Sequence, residues 1–298
     1  MLEERTNLFH WTWLVYLEIF VAGIAGGAYV AATILELTGR GGSRAARTAH
    51  LIAFPLMAIA GLLLIVDLSR PERFWHMVVM NERLLPMFKP WSPISIGTWL
   101  ILLFSAFTFV SFVDALIARR LLRVGGWRYD RTLHGGPFGV AWSVMGALLG
   151  IGVGIYSGVL LSVTSVPGWA YTWMIPAVYA ATALTTGVAA ILLVEALRGH
   201  ADPDVLGLAD ANAWLIGWWL LTVILFMVTL VGGGAGVFLT GIPLLAILAG
   251  VVLAGIVPLA LRAFRPIERT GTLALSAALV LVGGFLVRFA IVMAPQLH

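Results

Sequence analysis

Four side chains whose chemistry changes with burial sit inside or at the end of long apolar stretches: Glu18 in "YLEIFVAGIAGGA", Asp67 closing "AFPLMAIAGLLLIVD", Tyr156 in "GIYSGVLLS" and Arg288 in "GGFLVRFA". Carboxylates, a phenol and a guanidinium in such surroundings can hold or move protons, hydrogen-bond a polar ligand, or pair with one another. Placing them at membrane depth is expensive, so function is the default explanation for keeping them. Glu18 and Arg288 each lie on the order of 10 Å from one end of their helices, at about 1.5 Å per residue. Tyr156 lies about two turns from the same end of its helix, and Asp67 closes another helix at that face. Four helices thus bring polar groups to a similar depth. Helical periodicity does not decide whether they meet laterally. The competing reading is a Glu18–Arg288 ion pair that only fixes helix packing, with Tyr156 an interfacial tyrosine. Glu36, Asp114 and Glu195 sit near the opposite helix ends, where the expectation is that they snorkel to that surface.

The chain contains no cysteine. That removes iron–sulfur ligation, disulfides and thiol catalysis by this chain alone. Haem b held within a membrane bundle needs facing axial histidines. Here His10, His76 and His298 fall at one face, and His134 and His200 at the other. Only His50 starts a span, and a lone histidine at a boundary is expected at the surface. The prediction is a haem-free chain. "GRGGSR" lacks the Gly-Lys-Ser/Thr ending of a phosphate loop.

The elements that must position these groups are set by hydropathy. Of 298 residues, 61% are hydrophobic and only 11% charged, against about 25% charged in a soluble domain. Apolar runs of membrane-spanning length recur along the whole chain. The fold class is therefore all-α, a polytopic membrane protein of about eight helices in a single domain over 1–298. The spans are expected near 12–37, 48–67, 94–118, 138–163, 170–197, 211–232, 236–261 and 272–294, with "VGGGAG" as a tight turn. "GGAYVAATILEL" in the first span and "TGVAAILLVEAL" in the fifth hint at a four-plus-four repeat, 12–118 with 138–163 against 170–294. The acidic N-terminus, "MLEERTNLFHW", lacks the short apolar region and cleavage site of a removable signal peptide.

An even number of spans puts both termini on one side. Arg5, Arg70, Arg73, Arg83 and Lys89 share that side. Arg40, Arg44, Arg47, Arg119, Arg120, Arg123, Arg128, Arg131, Arg198, Arg262, Arg265 and Arg269 fall on the other. The positive-inside rule then predicts both termini outside the cytoplasm. The net charge of +4 is topological and does not indicate nucleic-acid binding; the surrounding partner is membrane lipid. The connection near 68–93 faces outward with the termini. It carries Pro71, Pro86, Pro90 and Pro93 with Trp75, Phe88 and Trp91. Prolines stiffen it and aromatics supply contact area, so it is expected to dock a partner protein through Arg73, Trp75, His76, Lys89 and Trp91. The alternative is an interfacial anchor.

Five stretches in one order resemble the NrfD/PsrC family, the integral membrane subunits of polysulfide-reductase-type complexes. They are "FVAGIAGGAYVAA", "DLSRPERFWHM", "SPISIGTWLILLFS", "YSGVLLSVTSVPGWA" and "GGFLVRFAIV". The resemblance implies a haem-free, eight-helix subunit that binds a quinone, menaquinone or ubiquinone, near the outer face of a prokaryotic cytoplasmic membrane. It implies a four-cluster ferredoxin-like iron–sulfur partner, often with a molybdenum or tungsten catalytic subunit. Tyr156 matches the tyrosine of the family's "Y-[ST]-G" motif, associated with the quinone head group. Arg288 matches the arginine of "GG-x-x-x-R". Glu18 stands where members place a polar or ionisable residue, sometimes histidine. The implied quinone site is Glu18, Asp67 and Tyr156, with Arg288 and Arg70 as supporting charges in proton handling. Two other function classes also suit buried Glu and Arg. A secondary transporter would show polar sites at broken helices in mid-bilayer. A purely structural anchor would keep quinone turnover after Glu18 or Tyr156 is removed.

Overall fold

The computed structural model describes residues 11–122, 136–232, 236–264 and 269–297. Arg5, His10, Arg123, Arg128, Arg131, His134, Arg265, His298 and the middle of "VGGGAG" lie outside the described residues. Within them, eight helices are long and apolar enough to cross a membrane. They are α1 Trp13–Leu37, α2 Arg44–Asp67, α3 Pro93–Ala118, α4 Gly136–Ser162, α5 Ile175–Leu197, α6 Pro203–Gly232, α7 Gly241–Phe264 and α8 Thr270–Met293. The expected all-α polytopic class is the observed one.

Most helix limits follow local signals. Ser43 caps α2 by accepting from the Ala46 N–H, and Ser92 caps α3 ahead of Pro93 in the first turn. Three starts differ from expectation. α6 begins at Pro203 rather than near 211, with the Val205 N–H on the Asp202 carboxylate at 3.1 Å. Its first turns carry Asp204 and Asp210, paired with Arg40 at 3.7 Å and Arg262 at 2.6 Å. Hydropathy undercounts such a helix because its first turns are polar. α5 starts late, at Ile175, because "SVPGW" turns at Gly168 (φ 100°) into a short 3-10 turn, Trp169–Tyr171. α7 starts late, at Gly241, after a 3-10 turn over Gly236–Phe238.

α1 packs against α2, α4 and α5, and α3 joins α2 and α4. α5 packs against α6 and α8, and α8 against α7. α1 and α5 are therefore the central pair. Each has 67% of its most apolar window buried, against 28% for α2, α3 and α7. The remaining faces of those three are left for lipid. The central pair is close because small residues let backbones touch. A Cβ on Gly27 would overlap the Ala183 backbone, and one on Gly187 would overlap the backbone of Gly27. Gly26 meets Gly150 of α4 in the same way. α7 contains a π turn over Val252–Ile256 just before Pro258, a usual way to absorb a missing N–H.

Candidate functional site

At the face carrying the start of α1 and the end of α8, α1 to α4 enclose a cavity of about 260 Å³. Glu18 of α1, Asp67 of α2, Thr98 of α3, and Tyr156 and Ser157 of α4 contribute its polar groups. Ile19, Leu64, Met77, Ile101, Val153 and Leu160 supply apolar wall. Three of the four intramembrane groups singled out by sequence thus converge laterally, from three helices.

Each is held differently. The Asp67 carboxylate accepts a hydrogen bond from the Thr12 hydroxyl, which ties the end of α2 to the start of α1. The Tyr156 ring occupies space left by Gly97 of α3, where any Cβ would overlap the phenol ring. Glu18 is only 7% exposed, and among the described residues no hydrogen bond or ion pair satisfies its carboxylate. The Tyr156 hydroxyl likewise has no protein partner among the described residues. Buried polar groups are normally hydrogen-bonded. Two open ones lining a single cavity are what a polar ligand would satisfy.

Arg288 does not line this cavity. It donates to the Ile19 carbonyl of α1 at 2.6 Å and the Tyr179 carbonyl of α5 at 2.7 Å, and lies 4.7 Å from the centre of the Tyr179 ring. Its guanidinium fills the space beside Gly23, with Nη1 2.5 Å from where a Cβ would stand. No Arg288–Glu18 ion pair within 4.0 Å exists, so the packing pair weighed from sequence does not form. Arg288 remains close enough for coulombic attraction to Glu18, but its direct role is to tie α8 to α1 and α5. Arg70 is exposed, precedes the 3-10 turn Pro71–Met77, and is also outside the cavity lining.

A second cavity of about 240 Å³ runs between α2 and α3 beneath Phe74, Met77 and Val78. It shares Leu64, Met77, Thr98 and Ile101 with the first, and its remaining walls are nearly all apolar. A polar chamber therefore adjoins an apolar groove. Sequence reasoning missed Gly97, Thr98, Ser157 and Met77. A glycine inside an apolar helix, in "SPISIGTW", was the available signal for the Tyr156 seat.

The connection from α2 to α3 roofs this region. Val79 bridges to Pro86, the Met87 N–H reaches the Val78 carbonyl at 2.7 Å, and the Trp99 indole N–H reaches the Met87 carbonyl at 2.9 Å. Of the expected docking residues, Arg73, Trp75, Lys89 and Trp91 are exposed and His76 is half-buried against Trp75.

At the opposite face the snorkelling expectation is corrected. Glu36 pairs with His50 Nε2 at 2.7 Å and accepts the Ser143 hydroxyl. Glu195 accepts the Thr48 hydroxyl and lies 2.9 Å from His200 Nδ1. Asp114 is fully buried. The Glu36 and Glu195 side chains point at neighbouring helices that supply partners, so reaching for water gains nothing. His50 is buried too, not at the surface, and its Nε2 is engaged by Glu36.

The chain matches the family described as "Polysulphide reductase, NrfD" over residues 2–298. It is 29% identical over 202 residues to the C subunit of polysulfide reductase from Wolinella succinogenes, a match that covers 65% of this protein and 61% of that relative. The match thus spans about three-fifths of the relative's length.

Proposed function

The chain belongs to the NrfD polysulphide reductase family, and from that premise we propose that it is the quinone-reactive membrane subunit of a multi-subunit respiratory oxidoreductase. The observation that carries this reading is the convergence of Glu18, Asp67 and Tyr156 on one cavity that continues into an apolar groove. A quinone is a ring with two carbonyl acceptors on a long apolar tail. It needs hydrogen-bond donors at one end of its site and an apolar slot at the other. Together the two cavities fall in the range of about 300–1,000 Å³ common for small-molecule sites. The open Tyr156 hydroxyl fits the head group as a donor, and the α2–α3 groove fits the tail. The quinone supplies two-electron chemistry coupled to two protons.

This chain's own residues handle the protons and the orientation. Glu18, with no protein partner for its carboxylate among the described residues, fits a group that takes a proton from the ligand or gives one to it. Asp67 stands at the mouth, partly exposed and fixed by Thr12, where it can exchange protons with water. The chain has no cysteine, so a partner must bring the electron carrier to the cavity. That partner is read as a four-cluster ferredoxin-like iron–sulfur subunit docked on residues 68–93, with a molybdenum or tungsten subunit beyond it. The setting is a prokaryotic cytoplasmic membrane, with the termini, the loop and the cavity mouth outside the cytoplasm.

The test is quinol-analogue oxidation by the purified complex, with subunit content checked for each variant. Tyr156→Phe keeps the ring and removes one neutral hydrogen bond, about 0.5–1.5 kcal/mol, or roughly 2- to 13-fold in affinity. Glu18→Gln keeps the shape and removes the titrating group, so kcat falls more than KM rises. Wild-type behaviour in both variants would leave the chain as a structural anchor.

A further inference from the structure

Beneath the face opposite the quinone cavity lies a separate chamber of about 310 Å³. Among the described residues it is lined by Arg44, Arg47, Arg119, Glu195, Arg198 and His200. Nothing in the proposed quinone chemistry uses it. Arg44 is the first residue of α2, while Arg119 and Arg198 are the first residues beyond α3 and α5. All three therefore stand at the level where apolar spans end, which is the level of lipid phosphates.

The chamber is built rather than merely charged. The Thr48 hydroxyl, fully buried, donates to Glu195. The same oxygen accepts from Arg119 Nη2 at 2.8 Å and Arg198 Nη1 at 3.3 Å. Two guanidiniums are thus aimed from two helices at one point, leaving further N–H groups of each fork to face the chamber. Among the described lining residues Glu195 is the one carboxylate, against four guanidiniums. Burial first, then the neighbouring Arg198, Arg47 and Arg44, push Arg119 below the ordinary arginine range, against the pull of Glu195. Within the described lining, negative charge is outnumbered by positive.

We propose that this chamber binds a phosphate group, carried by an anionic lipid headgroup or present as free phosphate. A phosphate offers several charged oxygens in a tetrahedral array, which suits converging guanidinium forks better than a single planar carboxylate does.

Thermal unfolding of the full-length chain in detergent tests this, with added phosphatidylglycerol, phosphatidylcholine, inorganic phosphate or an acidic peptide. A Tm raised by phosphatidylglycerol but not by phosphatidylcholine or phosphate identifies a lipid headgroup. A Tm raised by both phosphatidylglycerol and inorganic phosphate identifies the phosphate group irrespective of its carrier. No response to either, or a response to the acidic peptide alone, overturns the proposal. The double variant Arg44→Gln/Arg47→Gln should need about tenfold or more ligand per lost guanidinium for the same shift. An unchanged dose response in that variant overturns the assignment to this chamber. Should the double variant not fold, Arg44→Gln alone makes the same comparison, because Arg44 is exposed and makes no hydrogen bond among the described residues.

Discussion

Tyr156 owes its position to a residue with no side chain. Gly97 leaves room on α3 for the phenol ring, and a methyl group there would overlap the ring and its hydroxyl. The ring would have to swing into the cavity or out of it. Gly97→Ala should itself favour the helix by about 1 kcal/mol, so loss of folding is not the expected result. The expected result is a fall in quinol-analogue oxidation at least as large as for Tyr156→Phe, with the complex intact on size-exclusion chromatography. Wild-type oxidation in Gly97→Ala would show that the ring's seat does not matter. Glu18 and Arg288 carry the same signal in sequence, an ionisable group about 10 Å from a helix end. Their fates differ because Arg288 is a donor and finds the carbonyls of Ile19 and Tyr179 within reach, whereas the Glu18 carboxylate needs donors and none of the described residues supplies one. That depends on which helices are neighbours, which spacing along one chain does not reveal.

The connection between α2 and α3 behaves as an element in its own right. Its 3-10 turn, its short bridge and its anchors to Ser95 and Trp99 hold a fixed surface. On that surface Trp91 is 79% exposed, with Leu84, Phe88 and Trp75 also exposed. Ordered apolar side chains facing away from the bundle, beside Arg73 and Lys89, suit a protein partner, with aromatic anchors and a charged rim. Reversing both charges, Arg73→Glu with Lys89→Glu, should release the proposed iron–sulfur partner during purification while the membrane chain keeps its Tm. Retention of the partner at wild-type stoichiometry would remove this loop from the interface. The proline and aromatic content of the loop was legible in sequence. Its roofing of the α2–α3 groove through Phe74 and Met77 was not.

For the whole molecule, a four-plus-four repeat remains a proposal, and the contacts at the centre support it. Gly27 and Gly187 are separated by 160 positions and touch. Ile19 and Tyr179 are separated by the same number, and both accept from Arg288. Equivalent residues of a parallel duplication meet in this way along an axis normal to the membrane. By the same offset Glu18 corresponds to Val178, which is fully buried in an apolar cluster with Trp169, Phe226 and Phe238. On this reading one half keeps a polar cavity and the other has filled its counterpart. Sidedness is a further whole-molecule proposal, from twelve Lys and Arg on one side against five on the other. A periplasm-active reporter fused after His298 should be active, and a cytoplasm-active one silent. The reverse pattern would invert the topology and place the cavity mouth in the cytoplasm.

Hydropathy is summed over consecutive residues, and such a sum suffices for the all-α class, the eight spans and the depth of Glu18, Asp67, Tyr156 and Arg288. The paired prolines and tryptophans of the α2–α3 connection, and the family resemblance of its motif, are equally local. Lateral position is not, because a helix of nearly uniform hydrophobicity carries no stripe to show which face meets which neighbour. It took the packed bundle to bring Glu18, Asp67 and Tyr156 to one cavity and to turn Arg288 onto backbone carbonyls. Packing also drew Glu36, Asp114 and Glu195 inward, and for Glu36 and Glu195 partners from other helices replace the water they would otherwise seek. For Arg288, Glu36 and Glu195 the reason is the same: a buried polar group goes to the partner within about 3 Å, and that distance is set between helices.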